Sequence, residues 1–372
     1  MAARSSNDAE LSARLAPWLA RALGTDPDSL TIPVIDRSLT AGFSAETILF
    51  EAAWHERRPI QKPFVLRRQL AGQDLLPTPT LKHQWNAMAA MARFPHIPVP
   101  GLVGIDETGQ VLGDPFLVME RLPGKVLPVK PNYNVSGWLH DLPESERKRV
   151  WLNAVRAIAR VNRLDWRDGF QCLNPVPGRE PGLDTYLEWL ESWVRWAVGE
   201  RQNPICDAAL DYLKGNRPAN QPVDVLWGDP NSSNMLFSDR GDVTGLLDWE
   251  FASLGPGEID LAWWMMFDEL LSAGNGLPRL AGLPEREEII AVYSQALGRP
   301  VVAMEYYDIL VWLRMAIANM RLVDRQVERG RFKADNDAWL YTPPAVTLAR
   351  RLGMDDIEVS EDFMAFITLL TG

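Results

Sequence analysis

The sequence predicts an α+β protein in which a small antiparallel sheet precedes a larger, mostly helical region. Between residues 32 and 121, five short runs of β-type residues are separated by turn residues. After Pro123-Gly124, apolar residues recur at steps of three and four, the spacing of amphipathic helices. A strand-like island interrupts the helices at residues 223–247. We therefore expect a helical extension over 1–29, a sheet-bearing region over 30–123 and a helical region over 124–372.

The elements before residue 124 are justified by local patterns. Leucines spaced along residues 8–24 predict an amphipathic helix, in which Pro17 predicts a kink or an early end. A second helix is expected at Leu81–Ala92, after the third strand, and a Pro-rich turn leads from it to the fourth. The strands are expected at Ile32–Asp36, Thr47–Trp54, Pro63–Arg68, Leu102–Ile105 and Pro115–Arg121.

The region after residue 124 is expected to be helical except at its island. Helical spacing covers 144–164, 183–199, 204–214, 258–273, 284–296, 303–328 and 336–351. The island consists of Val223–Trp227, Met235–Phe237 and Val243–Leu247, with polar turns between them.

Composition excludes several functional classes. The chain has 372 residues with 38 basic and 49 acidic side chains, so the net charge of −11 argues against a nucleic-acid binder that works by neutralising phosphates. The longest strongly apolar run, Leu261–Phe267, is far below the roughly 20 residues that span a bilayer. The first residues lack the apolar stretch of a signal peptide. Two cysteines fit a reducing compartment, so we expect a cytoplasmic protein with neither membrane nor nucleic-acid partners.

Three oxygen-bearing side chains in the island carry the chemistry. Asp229 and Asn234 are five residues apart in a polar loop that follows one strand and precedes another, and Asp248 ends a third strand. A hairpin between the last two strands would bring residues 234 and 248 side by side. Carboxylate and carboxamide oxygens suit Mg²⁺, which keeps waters and takes one or two protein carboxylates together with substrate phosphates. The same spacing occurs in the catalytic loop of kinases.

A stretch such as Asp229-Pro230-Asn231 taken alone is most often a surface turn, because Asx side chains bond to their own backbone and proline fixes φ. The strands around it, the later Asp248 and the separate β-rich region upstream favour the functional interpretation.

These residues resemble the aminoglycoside phosphotransferase and choline kinase-like family, in which His-Gly-Asp is followed by four residues, an Asn and a later Asp. The segments Leu247–Glu250 and Gly255–Ala262 resemble the branch that includes phosphotransferase domains fused to some acyl-CoA dehydrogenases. The resemblance implies a bilobal protein-kinase-like fold with an N-lobe sheet and a helical C-lobe. It also implies that Asp229 is the catalytic base or the group that orients the acceptor hydroxyl, that Asn234 and Asp248 hold Mg²⁺, and that Asp260 supports the catalytic loop. Glu250 is a weaker candidate for the surroundings of the metal.

The nucleotide is expected to meet residues before position 124, again by resemblance. Gly42, Phe43 and Ser44 lie between the first two strands, where the family has a short phosphate loop, although an ordinary hairpin turn would look the same. Arg67 occupies the place of the phosphate-gripping Lys. Glu120, Arg121 and Leu122 fall in the strand and linker whose backbone meets the purine. ATP and GTP both fit these features.

Three positions depart from the family pattern. Arg67 replaces Lys, Gln84 replaces the glutamate that usually pairs with that Lys, and Trp227 replaces the His of His-Gly-Asp. We interpret Trp227 as a packing substitute that braces the loop. A catalytically impaired nucleotide-binding protein is the competing interpretation.

The acceptor is expected to be a small molecule with a hydroxyl group, and two kinds of acceptor remain open. Tryptophans in the helical region favour a partly apolar or acyl-type acceptor, although most such residues belong to a core. Arginines at positions 321–331 could meet an anionic acceptor such as a CoA thioester. An aminoglycoside would instead need carboxylates, and Asp268, Glu269, Asp335 and Asp337 are the candidates. The sequence is compatible with a monomer or a homodimer.

Overall fold

The computed structural model describes residues 2–37, 45–70, 72, 75–78, 80–333 and 335–364, with the side chains of residues 2–6 left out. The chain divides into two compact units, Met1–Pro123 and Gly124–Gly372.

The first unit contains a five-stranded antiparallel sheet. Its spatial order is β1-β2-β3-β5-β4, so the last two strands enter in reverse order. The predicted strands are all present, and β3 begins four residues earlier than expected because its whole length pairs with β2. The bounds are Thr31–Asp36 for β1, Glu46–His55 for β2, Pro59–Arg68 for β3, Leu102–Asp106 for β4 and Phe116–Glu120 for β5.

Helices accompany this sheet at two places. Helix α1, Ala2–Leu23, contributes Leu11, Leu15 and Leu19 to a core that also includes Phe64 and Leu66 of the sheet. Helix α2, Leu81–Met91, contacts β4 and β5. Because side chains alternate along a strand, Arg67 points away from the face that carries Phe64 and Leu66.

Helix α1 does not end early at Pro17, since it continues through the proline to Leu23. Leu15 and Leu19, on either side of the proline, are almost completely buried, and the Trp18 ring lies 4.7 Å from the Phe116 ring. The burial of this apolar face offsets the hydrogen bond that the proline cannot donate.

The second unit is mostly helical, as predicted. Its helices are α3 (Glu144–Asn162), α4 (Leu183–Val198), α5 (Pro204–Gly215), α6 (Glu258–Leu271), α7 (Arg286–Leu297), α8 (Met304–Glu328) and α9 (Pro343–Arg351), with short 3₁₀ turns at Gln171–Leu173 and Ala273–Asn275. Helix α9 begins seven residues later than the expected start at position 336. The physical reason is that Thr342 caps the helix by accepting from the Ala345 N–H, and Pro343 occupies the first turn.

The island forms two small two-stranded sheets within the second unit. Strand β6, Asp224–Leu226, pairs antiparallel with β9, Ser253–Gly255, and β7, Met235–Phe237, pairs antiparallel with β8, Val243–Leu246. Sequence patterns did not predict β9, because three residues are too few to show an alternating pattern. The antiparallel N-lobe sheet and the helical C-lobe confirm the predicted fold class. Within the described residues, no helix combines the length and apolar character needed to cross a membrane.

Candidate active site

The loop that carries Asp229 is held at its start by the carboxylate of Asp260. The two oxygens of Asp260 accept hydrogen bonds from the backbone N–H of Trp227 at 2.8 Å and of Gly228 at 2.9 Å, and from the Asn162 amide at 2.8 Å. Asp260 is fully buried in the first turn of α6, and burial raises its pKa to about 6. This geometry fits the supporting role that the resemblance implied for Asp260.

Hydrogen bonds fix both carboxylate oxygens of Asp229. Oδ1 accepts from the Trp263 indole N–H at 2.7 Å and from the Asn231 amide at 2.9 Å, and Oδ2 accepts from the Asn234 amide at 2.7 Å. Burial, followed by the nearby charge of Asp248, raises the pKa of Asp229 to about 7. A carboxyl group with this pKa is suited to accept a proton near neutral pH.

The β7–β8 hairpin places Asn234 beside the segment that carries Asp248. The Leu247 N–H donates to the Asn234 carbonyl at 2.8 Å, immediately before Asp248. The backbone of Asp248 is left-handed, with φ of 58°, a conformation that non-glycine residues rarely adopt and that clusters at functional sites. The predicted approach of residues 234 and 248 is therefore present in the structure.

The donor set at this hairpin fits a hard divalent cation. It combines Asn234 and Asp248 with the nearby carboxylate of Asp229, whose pKa is raised by burial and, second, by the charge of Asp248. A cation bound beside these groups would favour the ionised carboxylate. Within the described part of the chain, no group of three or more His, Cys, Asp or Glu side chains could hold a metal. A site with few protein ligands is the kind that Mg²⁺ occupies together with waters and phosphates. Glu250, two residues after Asp248, is buried.

Trp227, which stands where the family has His, joins the two loops of the site. Its ring is fully buried and lies 5.8 Å from the Trp249 ring, and its indole N–H donates to the Leu247 carbonyl at 2.9 Å. The side chain thus connects the residue two before Asp229 to the residue just before Asp248. This contact agrees with the interpretation of Trp227 as a brace.

We expect Trp227→Phe to lower the free energy of unfolding by about 1–3 kcal/mol, because the substitution leaves the Leu247 carbonyl without its donor. Thermal or urea unfolding measures the loss. Trp151→Phe is the matched control, since Trp151 is equally buried but its indole N–H has no hydrogen-bond partner among the described residues. Equal losses in the two variants would contradict a bracing role for the Trp227 indole N–H.

The candidate nucleotide residues of the first unit are only partly described. Gly42, Phe43 and Ser44 lie outside the described residues. Arg67 is on β3 and is buried, as is Gln84 on α2.

The strand and linker expected to meet the purine are described. The N–H groups of Glu120 and Arg121 donate to the carbonyls of Gly101 and Pro63, at 2.8 and 3.1 Å. The expected contact with the purine would therefore have to use their carbonyls or the backbone of Leu122.

The residues that were expected to contact the acceptor lie partly in the core and partly at the surface. Asp268 is buried and accepts from Tyr133 at 2.8 Å and from Arg279 at 2.6 Å, and Glu269 forms an ion pair with Arg351 at 2.6 Å. The following tryptophans of the helical unit are almost completely buried: Trp151, Trp193, Trp264 and Trp312. They form core, as most tryptophans at helical spacing do.

The arginines at the end of α8 and just after it differ in their exposure and in their contacts. Arg321 forms an ion pair with Asp324 at 2.8 Å and stacks 4.5 Å from the Trp196 ring centre, while Arg325 is buried. Arg329 and Arg331 are exposed. Only the exposed pair is open to an anionic acceptor without rearrangement.

Sequence reasoning missed two residues that contact the Asp229 loop, Trp263 and Arg314. Arg314 is fully buried in α8, donates to the Gly228 carbonyl at 2.7 Å and lies 4.3 Å from the Trp263 ring centre. A signal was present, because Arg314 interrupts the otherwise apolar run Ile309–Ile317. A charge in such a run needs a partner inside the protein.

A model of the phosphotransferase enzyme family matches residues 37–310, well over half of the chain. The chain belongs to this family. The predicted class, a phosphotransferase with an alcohol group as acceptor, is confirmed by this membership, and with it the transferase and kinase character of the reaction.

Two curated relatives, both named as acyl-CoA dehydrogenases, illustrate the similarity. Acyl-CoA dehydrogenase family member 10 of Mus musculus is 23% identical over 256 residues, which cover 66% of this chain and 23% of that protein. Probable acyl-CoA dehydrogenase IBR3 of Arabidopsis thaliana is 24% identical over 264 residues, covering 64% of this chain and 30% of that protein. The chain therefore spans less than a third of these relatives, and the predicted resemblance to this branch is confirmed.

Solved structures of low identity share the fold. A crystal structure of an aminoglycoside phosphotransferase candidate from Ralstonia eutropha superposes with a TM-score of 0.63 at 19% identity, covering 96% of this chain and 98% of that one. The GDP and kanamycin complex of APH(2")-IIIa gives a TM-score of 0.54 at 14% identity, covering 87% of this chain and 95% of that one.

Proposed function

We propose that this phosphotransferase moves the γ-phosphate of ATP or GTP to the hydroxyl group of a small, partly apolar or acyl-type acceptor, with Mg²⁺ as cofactor. The observation that carries the proposal is the convergence of Asp229, Asn234 and Asp248 on one pair of loops, with the pKa of Asp229 raised to about 7. Family membership supplies the reaction class, and the site supplies the residues that would perform it.

In this mechanism Asp229 accepts the proton of the acceptor hydroxyl and orients its oxygen toward the γ-phosphorus. Asn234 and Asp248 would hold the metal ion. When bound, Mg²⁺ neutralises the charge that develops on the phosphate oxygens. Asp260 and Trp227 keep the two loops in register through the backbone groups that they bind.

We assign nucleotide binding to residues 30–123 by family resemblance. Arg67 would provide a permanent positive charge for phosphates, Gly42, Phe43 and Ser44 would provide the phosphate loop, and the segment Glu120–Leu122 would meet the purine. The APH(2")-IIIa structure contains GDP, which supports a nucleoside triphosphate as co-substrate here.

Two observations favour an acyl-type acceptor over an aminoglycoside. Asp268 and Glu269, two of the carboxylates expected to meet a polycation, already bond to Arg279 and Arg351. The similar mouse and Arabidopsis proteins are named as acyl-CoA dehydrogenases, so an acyl compound is the natural first acceptor to test.

The test is transfer of radiolabelled γ-phosphate, in the presence of Mg²⁺, to a panel of hydroxyacyl-CoAs, aminoglycosides and simple alcohols. We expect phosphorylated product from at least one hydroxyacyl compound and none when Asp248→Asn replaces the wild type. A product from an aminoglycoside alone would overturn the acceptor assignment. Nucleotide-induced thermal stabilisation without any transfer would instead indicate an impaired nucleotide-binding protein.

The pH dependence of turnover follows from the state of Asp229. Its carboxyl must be ionised to accept a proton, and burial together with Asp248 raises its pKa to about 7. We expect kcat to rise as the pH increases from 5 to 8, with the half-maximal point at or below 7 because a bound cation favours the ionised carboxylate. A pH–rate profile at saturating substrates measures this limb. A rate that is constant over the range would contradict the role of Asp229 as base.

A further inference from the structure

The two oxygens of Asp229 are not equivalent in their hydrogen bonding. A carboxylate oxygen offers about two acceptor positions. On Oδ1 both are taken, by the Trp263 indole N–H at 2.7 Å and the Asn231 amide at 2.9 Å. Among the described residues, Oδ2 accepts only from the Asn234 amide, so one acceptor position on this oxygen remains open.

The donors on Oδ1 are themselves held in place. The Asn231 carboxamide oxygen accepts from the Ser233 N–H at 2.9 Å, which turns the amide nitrogen toward Asp229. Trp263 lies one turn after Asp260 on α6 and is 5% exposed. An indole N–H donates and cannot accept, and it does not give up its proton at ordinary pH.

Arg314 contacts the face of the Trp263 indole ring, whereas the N–H at the edge of the ring donates to Asp229. The guanidinium lies 4.3 Å from the ring centre, within the range of a cation–π contact, and its Nη2 donates to the Gly228 carbonyl at 2.7 Å. Its Nε and Nη1 have no hydrogen-bond partner among the described residues, so the aromatic face is an important contact of this buried cation. One arginine therefore holds both the indole ring and the backbone that leads into Asp229.

We propose that Trp263 is a positioning residue for phosphoryl transfer, which occupies Oδ1 of Asp229 so that the acceptor hydroxyl is served by Oδ2 alone, and that Arg314 holds Trp263 in that position. The proposal rests on the proposed function. In the transfer step, the acceptor O–H bond breaks and its proton goes to Oδ2. The acceptor oxygen forms a bond to the γ-phosphorus, and the bond to the bridging oxygen breaks with its electron pair on the nucleoside diphosphate.

Trp264, the residue after Trp263, does not share the hydrogen bond to Asp229 and therefore provides a matched control. Trp264 is also buried on α6, at 1% exposed, but its indole N–H has no hydrogen-bond partner among the described residues. Trp263→Phe and Trp264→Phe therefore remove the same atoms from adjacent positions, and only the first removes a donor to Asp229.

The kinetic test compares these two variants with the wild-type protein. A hydrogen bond to a charged group contributes enough to change a rate by about 10- to 100-fold. We expect Trp263→Phe to lower kcat by about that factor while the KM for nucleotide and for acceptor stays within about twofold. Trp264→Phe should retain the wild-type kcat. A structural role for Trp263 would instead lower the melting temperature and raise both KM values.

A second readout does not depend on activity or on the folding of the Trp263 variant. In protein labelled with ¹⁵N-tryptophan, the indole N–H resonance of Trp263 should shift upfield when Asp229→Ala removes its acceptor. The Trp264 resonance should stay in place. An unmoved Trp263 resonance would overturn the proposed contact.

The outcomes separate the positioning proposal from the function on which it rests. A wild-type protein that transfers phosphate to no acceptor defeats the proposed function, and the positioning proposal fails with it. An active wild type whose Trp263→Phe variant matches Trp264→Phe in kcat overturns only the positioning proposal.

Discussion

Asp229→Ala is expected to lower kcat by about 10²- to 10⁴-fold, the usual contribution of a positioned acid or base. The reason is that Asp229 is the proposed proton acceptor, with its pKa raised to about 7 and both oxygens fixed by Trp263, Asn231 and Asn234. Nucleotide affinity should remain near the wild-type value, because the proposed nucleotide residues lie before position 124. Steady-state kinetics on the identified acceptor, with nucleotide binding by calorimetry, measure both quantities.

Asp239→Ala is the matched control for this substitution. Asp239 lies in the turn of the same β7–β8 hairpin, and its side chain is 98% exposed. We expect this variant to keep the wild-type kcat. Wild-type turnover in Asp229→Ala would reject the catalytic assignment, and an equal loss in both variants would point to a general disturbance of the hairpin.

Gly228→Ala is expected to destabilise the second unit strongly. Gly228 has φ of +88°, and an added Cβ would lie 1.9 Å from the Phe251 carbonyl oxygen. The backbone cannot relieve this overlap without breaking the bonds that Gly228 makes with Asp260 and Arg314. We expect a loss of about 3 kcal/mol or more, which lowers the melting temperature by roughly 6–12 °C.

Turnover should be lost in the same variant, because the shift displaces Asp229, the next residue in the chain. Gly215→Ala is the comparison, since its Cβ would meet nothing within 4 Å at the end of α5. That substitution should leave stability unchanged or slightly increased. A Gly228→Ala protein with the stability and turnover of Gly215→Ala would contradict the described geometry of the loop.

Most of the fold could be predicted because it depends on local patterns. The alternating strands before Glu120 and the spacing of apolar residues in α3 to α8 are visible in any short window of sequence. The errors occurred where long-range contacts decide the outcome. Pro17 stays inside α1 because the helix packs on a sheet, and β9 is a strand only because β6 lies beside it.

The residues of the candidate site also differ in how they could be predicted from the sequence. Asp229, Asn234 and Asp248 were predicted from spacing, since a short loop and a hairpin leave these residues few relative positions. The support of Asp260 was inferred from family resemblance, and its bonds to Trp227 and Gly228 agree with it.

By itself, the sequence determined the reaction class, the succession of the main strands and helices other than β9, and the three oxygen-bearing side chains of the proposed transfer site. These depend on neighbours within about twenty residues, where spacing along the chain limits distance in space. Only the tertiary structure decided that Trp263 and Arg314 complete the surroundings of Asp229. These residues are 34 and 85 positions away from it. No periodicity reports such a contact, because it arises from the packing of α6 and α8 around the loop.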